Sequence, residues 1–404
     1  MARACSGLYQ FCDLRARYKE GQQLLATGAA RIASCSQTDA LLHAQLQAYD
    51  GALLSRLGQA QQGSIQLAAS IQTLRQLDQP QALADALNTS ANILRILGNY
   101  DQARATLEAC QQICEDIGYE QGLAVTLAHL GLIMGRQGNR QEAIRCHRQS
   151  ISLLRQTGSH KTLASALSNL GMALLNTVET RAEAEICLLE SVALAHSLKS
   201  NGVLVVALQN LSLIALFQQD WPKAKDYLDR SLALAAELGA DDLTVFILGD
   251  LVEVYTRSGE WTQARNECQT ALQMAKRLGI RWAEANSLTQ LGNLALLENQ
   301  PEEAVQWYRA SVSAAQAISA TAIIKEALTG WALLTGRQGA AKRGLSMLVF
   351  LIAVLHDDED RRAAAEKAFA ELSQQVLPEE LHDAYQQADL WSMETLVAEI
   401  LETR

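Results

Sequence analysis

The chain has 404 residues with a formal net charge of −10, is 49% hydrophobic but only 5% aromatic, and holds four prolines. That length exceeds the roughly 250–300 residues at which a single core stops growing, so it requires several domains or an open repeat architecture. Usage rich in Ala, Leu and Gln and poor in aromatics is helical usage. No Lys/Arg run offers a footprint for nucleic acid or an anionic membrane surface, and no apolar stretch reaches the ~18–20 residues of a membrane span.

In chain order, the first residues, Met1-Ala2-Arg3-Ala4-Cys5-Ser6, lack an apolar signal core, which predicts a cytoplasmic protein. A degenerate repeat copy occupies 1–38 and has its clearest trace at Tyr18-Lys19-Glu20-Gly21. From 39 to 356 one small residue then recurs: Gly63, Ala103, Ala143, Ala184, Ala224, Ala264, Ala304 and Gly344. The intervals are all 40 except one of 41, and the turn around Thr177-Val178-Glu179-Thr180 holds the extra residue. Sixteen residues earlier stands a leucine (Leu87, Leu127, Leu208, Leu248, Leu288, Leu328, with Leu167 after the insertion), followed three residues on by Leu130, Leu170, Leu211, Leu251 or Leu291. The next residue is small in most copies, as in Gly51, Ala91, Gly131, Gly171, Ser212, Gly292 and Ala332.

Leucines three apart put one apolar stripe on a first helix, and facing small residues let a second helix approach closely. Glycines at 58, 98, 138, 259 and 339 supply the left-handed residue between the two helices. Pro222 and Pro301 open second helices, where a missing N–H costs little. A further small column (Ser70, Cys110, Ser150, Ser191, Ser231, Ala271, Ser311) reads as a packing device. After the last repeat, 357–404 reads as capping helices: one over 357–375, a second starting at Pro378 and a third over 390–401.

Chemistry is absent from this pattern. There is no Walker-type or Gly-x-Gly-x-x-Gly loop, so no cofactor is expected. Cys110 and Cys114 lie one turn apart without a second ligand pair, and the eight cysteines are expected reduced and metal-free. The adjacent Cys146 and His147 point about 100° apart on a helix and cannot act as nucleophile and base. The chain is expected not to be an enzyme.

The order Leu-x-x-Leu-Gly…Gly…Ala resembles the tetratricopeptide repeat family over residues 8–356, with a unit some six residues longer than that family's 34. The resemblance implies an all-α superhelix of about eight to nine helix–turn–helix repeats whose first helices line an inner groove. It also implies that Asn169 and Asn210 match a structural asparagine of the family. The tail "LVFLIAVLHDDEDRRAAAEKAFAEL" with "LPEELHDAYQQADLWSMETLVAEIL" resembles the end of bacterial signal-transduction ATPases.

On the family's groove positions stand Val125, Leu132, Met172, Val206, Leu213, Phe217 and Phe246, with Leu175 and Leu216 one place earlier on the same face. Arg56, Arg95, Arg136, Arg257 and Arg337 stand at its edge; Asp85, Asn88 and Asn92 lie early, and Glu253, Asn286, Asn293 and Glu326 late. Such a column either binds an apolar or amphipathic segment of a protein or peptide or is buried between repeats. Asn88 and Asn92 lack the basic partners of the family's carboxylate clamp, since Val125 and Ala128 hold the matching places. Three functions fit: the sensor array of a bacterial signal-transduction ATPase or transcription regulator, a free-standing scaffold, and a small-molecule receptor using the same groove.

Overall fold

The structure, a computed structural model, describes residues 2–14, 17–33, 39–137, 139–175, 178–355 and 359–402. Among them the chain forms 21 α-helices, a single 3-10 turn at Val178–Thr180 and no strand. It divides into two compact units, Met1–Leu238 and Gly239–Arg404. The first holds α1 (Ala2–Leu14), α2 (Tyr18–Ala33), α3 (Ala40–Arg56), α4 (Ala60–Gln76), α5 (Pro80–Ile96), α6 (Tyr100–Asp116), α7 (Glu120–Arg136), α8 (Arg140–Thr157), α9 (His160–Leu174), α10 (Arg181–Ser197), α11 (Asn201–Phe217) and α12 (Trp221–Leu238). The second holds α13 (Asp241–Ser258), α14 (Trp261–Leu278), α15 (Arg281–Leu297), α16 (Pro301–Gln316), α17 (Thr321–Arg337), α18 (Ala341–Val354), α19 (Glu359–Ser373), α20 (Pro378–Ala388) and α21 (Met393–Glu402).

Each repeat turns twice, and both turns need a left-handed residue. The first turn has φ of 78° at Gly58, 81° at Gly98 and 84° at Gly259. Gln219 and Asn299 take φ of 59° and 57° at the same place, although a side chain there costs about 1–2 kcal/mol. Gly138 and Thr177 lie outside the described residues. The second turn, fifteen residues after the small residue, was not read from the sequence. It uses Gly118, Gly158, Gly239 and Gly279, with Asp78, Lys199 and Ser319 in the same conformation.

Between paired helices the small columns sit at the seam. Ala103, Ala184, Ala224, Ala264 and Ala304 are fully buried, and a Cβ on Gly63 would stand 2.5 Å from the Gly51 carbonyl oxygen. The serine column does more than pack, because each hydroxyl donates to a first-helix carbonyl. Ser70 reaches Ala44 O (2.7 Å), Ser150 reaches Ala124 O (2.7 Å), Ser191 reaches Ala164 O (2.7 Å), Ser231 reaches Val205 O (3.0 Å) and Ser311 reaches Ala285 O (3.0 Å). The Cys110 thiol takes the same part toward Ala84 O at 3.2 Å.

Within the first unit α3, α5, α7, α9 and α11 each touch the next, as do α13, α15 and α17 in the second. Helices that meet their next-but-one neighbours lie on the inside of the bend, so these layers are the inner faces of their units. At the C-terminus, α19 to α21 pack on α16 to α18, burying Leu372, Ala384, Leu396, Val397 and Ile400 with Leu345, Leu348 and Leu351. α21 starts at Met393 rather than at 390 because Ser392 caps it. Its Oγ accepts from Thr395 N (3.1 Å), and its own N–H donates to Thr395 Oγ1 (2.8 Å).

Candidate peptide-binding faces

The first unit's inner face is apolar toward α9 and α11 and cationic toward α3 to α7. Met172 and Val206 are 41% and 37% exposed, large for apolar side chains. Val125, Leu132, Leu213 and Phe217 are half-buried. The Arg181 guanidinium covers the Phe217 ring, 3.9 Å from its centre, while Arg181 Nε donates to Leu175 O at 3.1 Å. Phe217 and Leu213 thus lean on the core formed around Leu167, Leu188, Leu211 and Ile214. Leu175 and Leu216, expected on the face, are 1% and 4% exposed; Leu175 belongs to that core. One residue along a helix is a rotation of about 100°, enough to turn a side chain from groove to interior.

On the cationic side Arg136 is exposed and makes no ion pair among the described residues. Arg95 donates to Asn92 Oδ1 at 2.9 Å, and its pKa is drawn down by burial and by the charges of Arg136 and Arg56. Lys161, one helical turn before the positions read from the sequence, pairs with Asp13 of α1. His129 stands among these cations. Burial, with Arg95 and Arg56, pushes its pKa down to about 4, and its Nδ1 is buried without a hydrogen-bond partner. Asp85 touches solvent but is hemmed in; burial raises its pKa to about 6, and Tyr119 donates a hydrogen bond to it at 3.1 Å.

The second unit's inner face carries an aromatic pair. Phe246 is 38% and Trp282 46% exposed, with ring centres 6.0 Å apart. Trp282 was missed in the sequence for the same reason as Lys161: the face runs one turn further toward each helix N-terminus. Arg257 pairs with Glu253 at 2.7 Å. Several polar residues assigned to the grooves are structural instead. Asn293 accepts from the Tyr308 hydroxyl at 2.7 Å, Arg337 donates to Leu296 O (3.2 Å) and Glu371 (2.7 Å), and Asn88 donates to Gly122 O at 3.4 Å. Asn210 donates to Ser168 Oγ at 3.0 Å.

Among the described residues no group of three His, Cys, Asp or Glu side chains could hold a metal. Hydrogen bonding to Cys114 and burial push the Cys110 thiol far above its ordinary pKa. The seven described cysteines form no disulfide; Cys35 lies outside the described residues, as does His356. No helix among the described residues is long and apolar enough to cross a membrane.

The tetratricopeptide repeat profile matches residues 82–156 and 243–317. No curated protein sequence matches the chain. Among solved structures, a Rap protein complexed with competence and sporulation factor is similar over 99% of both chains at 12% identity, with a TM-score of 0.59. The Rap conjugation gene regulator of plasmid pLS20, in complex with the Phr* peptide, is similar over 67% of this chain and 72% of its own at 15% identity, with a TM-score of 0.56. A signal transduction ATPase with numerous domains from Pyrococcus horikoshii, which carries a tetratricopeptide repeat sensor, is 14% identical over 84% of this chain, with a TM-score of 0.51. The chain spans about half of that protein's length (54%). At these identities the likeness is one of fold. The two matched stretches are tetratricopeptide repeats, one in each unit, and the helix pairs around each follow the same pattern within its unit.

Proposed function

We propose that the chain is a non-catalytic recognition scaffold whose first unit binds an anionic, amphipathic peptide or protein segment on its inner face. The observation that carries this reading is the exposure of Met172 and Val206 on the layer that also presents Arg56, Arg95, Arg136 and Lys161. Apolar anchors supply affinity where water is excluded, and flanking cations set orientation and on-rate. Half-buried Val125, Leu132, Leu213 and Phe217, on the same layer of helices, would extend the apolar surface offered to the segment. The likeness in fold to peptide-bound Rap proteins and to an ATPase with a repeat sensor supports placing the chain as the sensing array of a bacterial signal-transduction ATPase or transcription regulator. The separate aromatic pair Phe246 and Trp282 in the second unit, with Arg257 at the far end of α13, favours as second reading a scaffold with one partner per unit.

Selection of a displayed random-peptide library on the full chain tests the proposal. Enriched sequences should combine apolar residues with Asp or Glu. Changing Met172 and Val206 together to Ser should weaken their binding by about tenfold or more, and Arg136→Glu should slow association and flatten its salt dependence. Failure to enrich any sequence, or binding indifferent to all three changes, refutes the reading.

A further inference from the structure

α1 does not pair with α2 as the later first helices pair with their second helices; it packs there loosely and turns its C-terminal end toward the inner face. Asp13, only 14% exposed, forms ion pairs with Arg56 of α3 at 3.5 Å and with Lys161 of α9, a contact spanning 148 residues of sequence. One turn earlier, Tyr9 stacks on Tyr49 of α3 with ring centres 4.9 Å apart and planes 16° from parallel. Cys5, Leu8 and Tyr9 pack on Leu25, Leu42, Leu46 and Leu53. Cys12 is 3% exposed and rests on Gly21, where a Cβ would stand 2.8 Å from its Sγ.

This is how a bound peptide sits: an aromatic ring on an aromatic ring, apolar side chains in a shallow cleft and a carboxylate between two cations. The ion pairs that hold Asp13 engage partly exposed Arg56 and Lys161 side chains, which contribute little to stability.

We propose that α1 is a resident, displaceable occupant of the first unit's inner face. The segment that replaces it is an amphipathic peptide with an aromatic ring and a carboxylate spaced as Tyr9 and Asp13 are. The inference rests on the peptide-binding reading above and adds that the site is guarded from within the chain. Because α1 is tethered, its effective concentration is high, so an incoming segment must outcompete it rather than find an empty groove.

Alkylation of Cys12 in the full chain by iodoacetamide, located by peptide mapping, reports whether α1 is seated. The wild-type thiol should react slowly, while Asp13→Lys and, separately, Lys161→Glu should raise its rate at least tenfold with helix content unchanged. Combining Asp13→Lys with Lys161→Glu should restore part of the protection. A synthetic peptide of residues 2–14, with its cysteines replaced by serine, should speed Cys12 alkylation of the wild-type chain and bind the Asp13→Lys chain at least tenfold more tightly; the same peptide with Lys for Asp13 should do neither. Equal Cys12 rates in wild type and both variants overturn the seating of α1. Release of Cys12 with equal peptide affinity for wild type and variant overturns displacement while peptide binding stands. Release with no peptide binding to either chain overturns the peptide-binding reading, and the proposal with it.

Discussion

Tyr308 of α16 is fully buried in a slot cut by two glycines on neighbouring helices. A Cβ on Gly292 of α15 would stand 2.6 Å from its Cε1, and one on Gly330 of α17 would stand 2.2 Å from its hydroxyl oxygen. The ring cannot yield to one side without meeting the other, and its hydroxyl is tied to Asn293 at 2.7 Å. Gly→Ala inside a helix ordinarily gains about 1 kcal/mol. At Gly330 that gain is set against overpacking of about 1–3 kcal/mol and against a disturbed buried hydrogen bond, for which an unpaired Asn293 costs about 1–3 kcal/mol. The expected result is a net loss of about 2–3 kcal/mol. Gly249, on α13 of the same unit, meets nothing within 4 Å. There the identical change should stabilise by about 0.5–1 kcal/mol. Urea unfolding followed by far-UV circular dichroism, with the slope checked for constancy, measures both. Adding Tyr308→Phe to Gly330→Ala should relieve part of the loss, because the closest clash is with the hydroxyl; the cycle isolates that coupling. If Gly330→Ala stabilises as Gly249→Ala does, Tyr308 does not occupy the slot and the packing of α15, α16 and α17 is wrong.

Two further outcomes follow from buried polar groups. Burial holds both His129 and His147 at pKa values of about 4, below the unfolded 6.5, so the unfolded chain binds more protons and stability falls as pH drops from about 6.5 toward 4. Asp85, raised to about 6, works in the opposite sense over part of that range. Buried Asp50, whose pKa burial also raises, works in the same sense as Asp85; the two histidines lose more over this range, and the urea midpoint should be lower at pH 5 than at pH 7.5. His147→Leu should narrow that gap; an unchanged gap would show that His147 is protonated in the folded chain. In the serine column, Ser150→Ala should cost about 1 kcal/mol by removing a buried hydrogen bond, whereas exposed Ser152→Ala on the same helix should be neutral by the same urea measurement.

The helices and their register were legible because the residue that must be small at each seam recurs every 40 positions, and because one of the two turns uses glycine in most copies. The other turn column stayed hidden because Asp78, Lys199 and Ser319 take its left-handed conformation in three repeats without a glycine to mark it. The serines were read for size alone, since nothing in the sequence shows a carbonyl partner 26 residues away. Met172, Val206 and Phe246 are exposed where groove positions were expected, but a one-residue offset put buried Leu175 and Leu216 among them. Phe217 is capped by Arg181, which the inserted turn delivers and no repeat pattern foretells. The seat of α1 depends on an ion pair between residues 148 apart, beyond the reach of any local pattern.

The hydroxyl-to-carbonyl bonds also decide how each unit can deform. A bond from the middle of a second helix to the backbone of its first pins the pair against sliding, as a dowel fixes two boards. Pairs pinned in this way move as blocks, and bending is left to the joints between them. Among the pairs from α3–α4 to α15–α16, α13–α14 has Ala271 at the pinning position and so no hydroxyl to offer. Among those pairs, these two helices should shear past one another at the lowest cost. Phe246 rides on the first of them with its ring against Trp282 of α15, so one half of the aromatic patch sits on an unpinned pair, and its spacing can adapt to what it grips.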